Sequence, residues 1–261
     1  MKDKFEMAKL FFTKGRLLRT LAIKNFRNRY SNTACGLLWS VITPLLISLV
    51  ISFVFKYIMP AAVNNFTAFV ISGMLPWFCL SASLQESAVS LVENSGITKQ
   101  FMVPLKFVPA ACVITNFFNL LMGFFVATVF FMGIPVRFLI LVIFLPIPLI
   151  LHFMFTLGLS FFVAALYVRC RDTGYILNIL LIFWLWATPV FYFLDTFPPG
   201  IQKILGLNMM IPFLNLYRSI FYKHTFFNYG DLLSSAVIAS LFLICGYIFF
   251  AKQEHLLTKI I

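Results

Sequence analysis

The stretch NFRNRYSNTACGLLWSVITPLLISLVISFVFKYI, residues 25–58, decides the fold. Its first part carries Arg27 and Arg29, and from Ala34 to Phe55 the chain has no charged side chain. At about 1.5 Å per residue a helix of that length reaches about 33 Å, enough to cross a hydrocarbon core of about 30 Å. The stretch therefore predicts a membrane-spanning helix with basic residues at its start.

The composition extends this prediction to the whole chain. Hydrophobic residues make up 62% of the 261 residues, charged residues only 11%, and there are 34 Phe. Soluble domains carry about 25% charged residues, so the sequence predicts an integral membrane protein. Its apolar runs are continuous rather than alternating, which favours an all-α fold over a β-barrel. We expect a single transmembrane domain over residues 1–261.

Six spans are predicted, at residues 34–58, 65–84, 108–132, 138–168, 175–193 and 232–251. The fourth contains Pro146 and Pro148, so we expect it to be kinked or strongly tilted. Between the fifth and sixth, the apolar pieces 201–211 and 213–222 are each too short to cross a membrane. We interpret them as two short helices, re-entrant or lying on the outer side. The alternative, a seventh full span, would place the C-terminus outside.

The basic residues predict the orientation. With both termini in the cytoplasm, fifteen of the 20 Lys and Arg residues lie in inner segments and five in outer ones, as the positive-inside bias requires. The outer five are Lys56, Arg137, Lys203, Arg218 and Lys223. Nine basic residues precede the first span, so the net charge of +12 indicates orientation at an anionic membrane face rather than nucleic-acid binding. Residues 252–261 are then a cytoplasmic tail and residues 34–251 a six-span core.

Residues 1–33 contain a basic amphipathic segment. On a helical wheel Leu18, Leu21, Ala22 and Phe26 share one side, and Arg16, Lys24 and Arg27 lie opposite. The pattern is typical of a helix in the inner interface with its basic side chains toward lipid headgroups. A plain cytoplasmic anchor is the other interpretation.

No catalytic or nucleotide-binding pattern is present. The sequence has no HExxH, GxSxG or GxxxxGK[ST], and its eight acidic residues are far apart. The five cysteines have no metal or disulfide spacing. We therefore expect a protein that is not an enzyme and binds no cofactor itself. If ATP drives it, another polypeptide supplies the hydrolysis.

The inner loop 85–109 is the first candidate functional segment. It is polar and of mixed charge, and it can form a short helix up to about Asn94. Glu86 and Glu93 lie two helical turns apart and so face the same way. A helix at the inner ends of two spans could receive force from a soluble motor, and an ordinary amphipathic loop is the alternative.

Polar and aromatic residues within the spans are the second set of candidates. Asn116 and Asn119 could line a polar pathway or join helices, and His152 is either functional or a neutral packed histidine. The aromatic residues are dense around Trp77, Trp184 and Trp186 and from Phe191 to Tyr222. They are typical of an interfacial belt, or they could stack against sugar rings.

The motifs, in this order, resemble the permease subunit of type 2 ABC transporters that export polysaccharide. The matching stretches are RY with CGLLWSVITP at residues 29–44, ISGMLPWFCLSAS at 71–83, ENSGITKQFMVPLKFVP at 93–109, VRCRDTGYI at 168–176, TPVFYFLDTFPPGIQ at 188–202 and LNMMIPFLNLYRSI at 207–220. Members move lipid-linked O-antigen, capsular polysaccharide or teichoic acid across the bacterial inner membrane.

The resemblance implies a homodimer that binds two ATP-binding cassette subunits, with ATP and Mg on those partners. It implies an interface helix carrying Arg16, Lys24, Arg27 and Arg29. It implies ATPase coupling through Glu86, Glu93, Asn94, Lys99, Arg171 and Asp172. It implies that spans one and five line the polymer path. The substrate-pathway residues that we name are Trp39 on span one, Trp184, Trp186 and Tyr192 on span five, Asn116 and Asn119 on span three, and Arg218 beyond span five. A stand-alone secondary transporter or flippase, and a type 2 exporter of lipid or drug, remain as alternatives.

Overall fold

The computed structural model describes residues 17–26, 38–57, 65–96, 103–129 and 136–260. All regular secondary structure within these residues is helical, which confirms the predicted all-α fold. The beginning of the predicted first span, the segment around Lys99, and Arg16, Arg27 and Arg29 lie outside the described residues.

The helices follow one another with short connections. They are α1 (17–26), α2 (Trp39–Tyr57), α3 (Phe66–Glu93), α4 (Phe107–Ala127), α5 (Val136–Leu141), α6 (Pro146–Arg169), α7 (Thr173–Ala187), α8 (Pro199–Gly206), α9 (Ile211–Arg218) and α10 (Tyr229–Ile260). A 3-10 turn, Val142–Phe144, joins α5 to α6, and a π-helical turn, Ser219–Lys223, extends α9.

Four of these helices, α3, α4, α6 and α10, are long and apolar enough to cross a membrane. The pair Pro199–Gly206 and Ile211–Lys223 has the apolar length of a further span but is bent by 92°. This bend agrees with the two short helices predicted between spans five and six. The chain is a multi-pass membrane protein. The count of six spans stays a prediction because it also needs the shorter apolar helices within α2 and α7.

Helix α7 ends earlier than predicted. The sequence favoured a span to residue 193, but the helix stops at Ala187 and Thr188 is extended, with φ −97° and ψ 129°. Pro189 accounts for the stop, because the ring of a proline forces the preceding residue out of the helical region. The next residues, Val190 and Phe191, are buried against the bundle instead of continuing the helix.

Two helices run further than predicted. Helix α3 continues from the second span to Glu93 without a break. The helix predicted up to about Asn94 is therefore confirmed, and residues 85–93 are the last turns of the span rather than part of a loop. Helix α10 likewise continues through most of the expected tail, to Ile260. By contrast, the fourth span is interrupted before Pro146, which occupies the first turn of α6, where a missing N–H costs nothing.

Helix α3 is the central element of the described bundle. Helices α8 and α9 form a bent pair, here called the hairpin. One face of α3 packs on α2, α4 and the α9 side of the hairpin, through Ile71, Leu75 and Cys79. Its opposite face packs on α6, α7 and the same hairpin. Helices α6 and α10 meet most closely at Gly158 and Gly246, where a methyl group on either glycine would overlap the backbone of the other helix. The hairpin is thus held against a tightly packed bundle.

Candidate transport site

A polar cavity of about 380 Å³ opens between α1, the last turns of α3 and the first turns of α4. Its lining residues are Lys24, Asn25, Glu86, Val89, Ser90, Glu93, Asn94, Cys112 and Thr115. The prediction that Glu86 and Glu93 face the same way is therefore confirmed, since both line this one cavity. The cavity brings charged groups from two segments that the sequence treated separately, the interface helix and the coupling loop.

Glu86 binds directly to α4. The side-chain amide of Asn116 donates to Glu86 Oε2 at 2.8 Å and also to the backbone carbonyl of Cys112 at 3.0 Å. The sequence assigned Asn116 to the substrate pathway and Glu86 to coupling, but the structure joins them. An amide within an apolar helix needs a hydrogen-bond partner, and that requirement was the signal in the sequence for such a contact.

Lys24 connects α1 to the end of α3. Its ammonium donates to Asn94 Oδ1 at 2.7 Å, and the Asn94 amide donates to the backbone carbonyl of Ser90 at 2.8 Å, in the last turn of α3. The helical wheel placed Lys24 toward lipid headgroups. In the structure it faces the cavity, because α1 lies with Leu21 buried against Val103 and Ala111.

The remaining coupling candidates differ in exposure. Arg171 and Asp172 are exposed in the turn between α6 and α7, where they are accessible to a partner. The turn is fixed by backbone hydrogen bonds from Gly174 to Arg171 and from Ile176 to Asp172. Nearby, Arg169 at the end of α6 donates to the side chain of Gln253 on α10.

On the hairpin side, Asn208 joins α7 to the segment between α8 and α9. Its Oδ1 accepts the indole N–H of Trp184 and the backbone N–H of Met210, both at 2.9 Å. Its amide donates to the carbonyl of Ala187 at 3.1 Å and to Thr188 Oγ1 at 2.8 Å. The sequence analysis did not select Asn208 as a site residue. The only signal was a polar residue between Gly206 and Pro212, where a turn is expected.

Arg218 lies inside the protein, only 4% exposed. Its Nη2 donates to the carbonyls of Pro189 at 2.6 Å and Val190 at 3.1 Å, just beyond the end of α7. The guanidinium lies 3.9 Å from the centre of the Phe69 ring, and a Cβ on Gly73 would approach Nη2 to 3.1 Å. A cation near the carbonyl end of a helix is favourable, so Arg218 anchors the hairpin to α7 and α3.

The aromatic pathway candidates fall into two groups. Trp184 is half-buried and meets Trp77 edge to face at 5.6 Å. Trp39 and Trp186 are exposed, Trp186 by 62%. Tyr192 is half-buried, and its hydroxyl donates to the Trp186 carbonyl at 2.8 Å. The exposed indoles can meet a ligand or a second subunit directly, and Trp184 lines an open cavity of about 470 Å³ beside α8.

Two further polar residues lie within the bundle. His152 is fully buried, with Nδ1 3.3 Å from the hydroxyl of Tyr217 on the hairpin. Its Nε2 and the Oδ1 of Asn119 have no hydrogen-bond partner among the described residues. The contact of His152 agrees with a packed histidine that fixes the hairpin. Asn119 stays a prediction as a pathway residue.

The arrangement offers two connected regions rather than a reaction centre. Across the described ranges, no three His, Cys, Asp or Glu side chains gather as metal ligands would. One region links α1 to the C-terminal end of α3, and the other links the hairpin to α7. Both regions consist of hydrogen bonds between segments that are far apart in the chain.

Comparison with known proteins gives a consistent result. The family described as ABC-2 type transporter matches residues 16–222. The O-antigen export system permease protein RfbA of Myxococcus xanthus is 28% identical over 247 residues, which cover 94% of this chain and 95% of that protein. A protein of the same name from Klebsiella pneumoniae is 26% identical over 262 residues, covering 100% of this chain and 99% of its own. The chain belongs to the ABC-2 type transporter family.

Proposed function

We propose that this chain is the permease subunit of an ATP-driven exporter that moves lipid-linked polysaccharide of the O-antigen class across the bacterial cytoplasmic membrane. One observation carries the proposal: two proteins named O-antigen export permeases align with the chain over nearly its whole length. Family membership implies an ATP-binding cassette partner. Two such subunits would bind one permease dimer and supply ATP and Mg.

The exposed face of α7 supports a homodimer. Tyr175, Ile179 and Phe183 are all more than half exposed, and Asn178 among them is exposed too. An amide on the outside of an apolar helix is unfavourable against lipid, whereas between two helices it can form hydrogen bonds. We assign this face to contact with a second copy, with Trp39 and Trp186 along the polymer pathway.

The inner cavity supports the coupling role. Arg171 and Asp172 are exposed and accessible for docking on the ATPase, and Lys99 keeps its predicted coupling role. Of the three candidates near the end of α3, Glu93 is exposed, Asn94 is buried, and half-buried Glu86 accepts a hydrogen bond from Asn116 of α4. We assign these three residues to transmission: a push on the end of α3 moves α4 and α1 with it. Both termini are on the cytoplasmic side in this arrangement.

The export proposal is tested in a bacterium that lacks the gene for this chain. In that strain the polysaccharide should accumulate inside the cell. Surface polysaccharide should be restored when the chain is supplied together with its ATPase. Export that continues without any ATP-binding partner would indicate the secondary transporter. Normal surface polysaccharide with loss of a lipid or drug efflux activity would indicate the other alternative.

The coupling assignment has its own test. Glu86→Lys should reduce export at least tenfold, because it breaks the bond to Asn116 and adds a positive charge beside Lys24, while ATP hydrolysis by the complex continues. Glu254→Lys, the same charge change near the end of α10, is the control and should export normally. Unchanged export by Glu86→Lys would remove the coupling role without affecting the export proposal.

A further inference from the structure

A second cavity, about 440 Å³ in volume, lies on the other side of α1, between that helix and α4. Its walls are apolar: Leu18, Ile23 and Phe26 from α1, and Ile114 and Phe118 from α4. Ile23 and Phe118 are each 43% exposed, so the groove is open to the surroundings of the helices. Helix α1 is predicted to lie at the membrane interface, where those surroundings include lipid.

The groove has a fixed shape because its two helices are joined on either side of it. Phe26 and Phe118 meet edge to face at 5.5 Å at one end. The burial of Leu21 against Val103 and Ala111 holds α1 on α4 behind the groove. The lining therefore presents a preformed apolar site rather than a gap between independent segments.

The charge pattern selects the occupant. Arg19 is exposed and is the one charged side chain among the lining residues. The Thr115 hydroxyl, the neutral polar group of the lining, already donates to the carbonyl of Ala111 at 2.9 Å. The site thus combines an apolar trough with a single cation at its edge. A lipid with an acyl chain and an anionic headgroup matches both features.

We propose that the groove between α1 and α4 binds an anionic phospholipid, with an acyl chain along Ile23, Ile114 and Phe118 and the phosphate at Arg19. The bound lipid fills the apolar space beside the interface helix. It also adds a headgroup contact to the helix that carries Lys24. The orientation of α1, and with it the polar cavity on its other face, then depends on the lipid of the inner leaflet.

The test uses the full chain purified in mild detergent and mixed with phosphatidylglycerol or phosphatidylcholine of identical acyl chains. Native mass spectrometry counts the lipid retained as detergent is increased. Wild type should retain phosphatidylglycerol preferentially. Arg19→Gln should lower that retention about fivefold, the change that corresponds to about 1 kcal/mol per basic residue at an anionic surface, and leave phosphatidylcholine unaffected. Arg171→Gln, an exposed arginine away from the groove, should change neither.

A second measurement locates the acyl chain. Phosphatidylglycerol with a photoreactive group in its acyl chain should label peptides of α1 and α4, and Ala22→Phe, which fills the groove, should reduce the labelling while Arg19 is retained. Equal losses for Arg19→Gln and Arg171→Gln would overturn the proposal, because they indicate general attraction to charge. Equal retention of both lipids by wild type, or labelling of peptides outside α1 and α4, would also overturn it. So would displacement of the photoreactive lipid by a polyprenyl phosphate but not by added phosphatidylglycerol. If Ala22→Phe does not fold, the Arg19 comparison decides.

Discussion

Asn208→Ala is the change that most directly tests how the hairpin is held against α7. The Asn208 side chain takes part in four hydrogen bonds, to Trp184, Met210, Ala187 and Thr188. Three of these groups belong to the end of α7 and the residue after it. Alanine removes all four bonds at once and leaves the helices themselves unchanged.

The magnitude follows from the number of bonds. Side-chain hydrogen bonds between membrane helices average about 0.6 kcal/mol each, so the three that join Asn208 to Trp184, Ala187 and Thr188 contribute about 1.8 kcal/mol. At about 1.4 kcal/mol per factor of ten, that is about a twentyfold rise in the population in which the hairpin has separated from α7. Asn215→Ala is the matched control. Asn215 lies on the same hairpin, but its amide forms a single bond, to Asp231 Oδ1 at 3.2 Å, so about a threefold rise is expected.

Hydrogen exchange of the purified protein measures the effect. Amides of residues 199–223 should exchange about twenty times faster in Asn208→Ala and about three times faster in Asn215→Ala, with α4 unchanged in both. If the two variants accelerate the hairpin equally, Asn208 is not its anchor. If exchange rises throughout α3 and α6 as well, the hairpin is not a separate opening unit.

Two further predictions concern packing inside the bundle. Gly158→Ala should lower the free energy of unfolding by about 1–3 kcal/mol, and with it the thermal unfolding temperature, because the added methyl overlaps the Phe242 carbonyl. Gly200→Ala, with nothing within 4 Å of the new Cβ, should leave the unfolding temperature unchanged. Equal stability of both variants would contradict the close crossing of α6 and α10. His152→Phe should destabilise the protein by about 1–3 kcal/mol, since it leaves the buried Tyr217 hydroxyl without its partner. The double variant with Tyr217→Phe should recover part of that loss, and a purely additive result would mean that the His152–Tyr217 contact contributes nothing.

The sequence predicted which segments are apolar helices, because length and continuous hydrophobicity decide that locally. It predicted the ends less well. The proline-imposed stop of α7 at Ala187 was visible in Thr188-Pro189 but was outweighed by the apolar residues that follow. A helix up to about Asn94 was predicted, but its continuity with the second span was not, since polar composition alone does not separate a loop from the end of a long helix.

The candidate site could be predicted only in part, for a different reason. Residue types indicated that Glu86, Asn116 and Lys24 were candidate functional residues. They did not indicate that the three lie close together where α1, α3 and α4 meet. The contacts between them join residues 24, 94, 86 and 116, which are far apart in the chain and meet only when α1, α3 and α4 pack. Such long-range contacts leave no periodic pattern in the sequence.

The packing of a single subunit restricts where a polymer could pass. The interior between α3, α4, α6 and the hairpin is filled by side chains such as Phe124, Phe155 and Tyr217, which are fully buried and stacked on their neighbours. The polar cavity of about 380 Å³ lies between α1, α3 and α4, and Glu86 in its wall is bonded to Asn116 of α4. A chain of sugars is far wider than any gap such packing leaves. If the exported molecule is a polysaccharide, it must therefore pass along surfaces that are exposed in one subunit. The indoles of Trp39 and Trp186 lie on those surfaces, whereas Trp184 lines a separate open cavity beside α8.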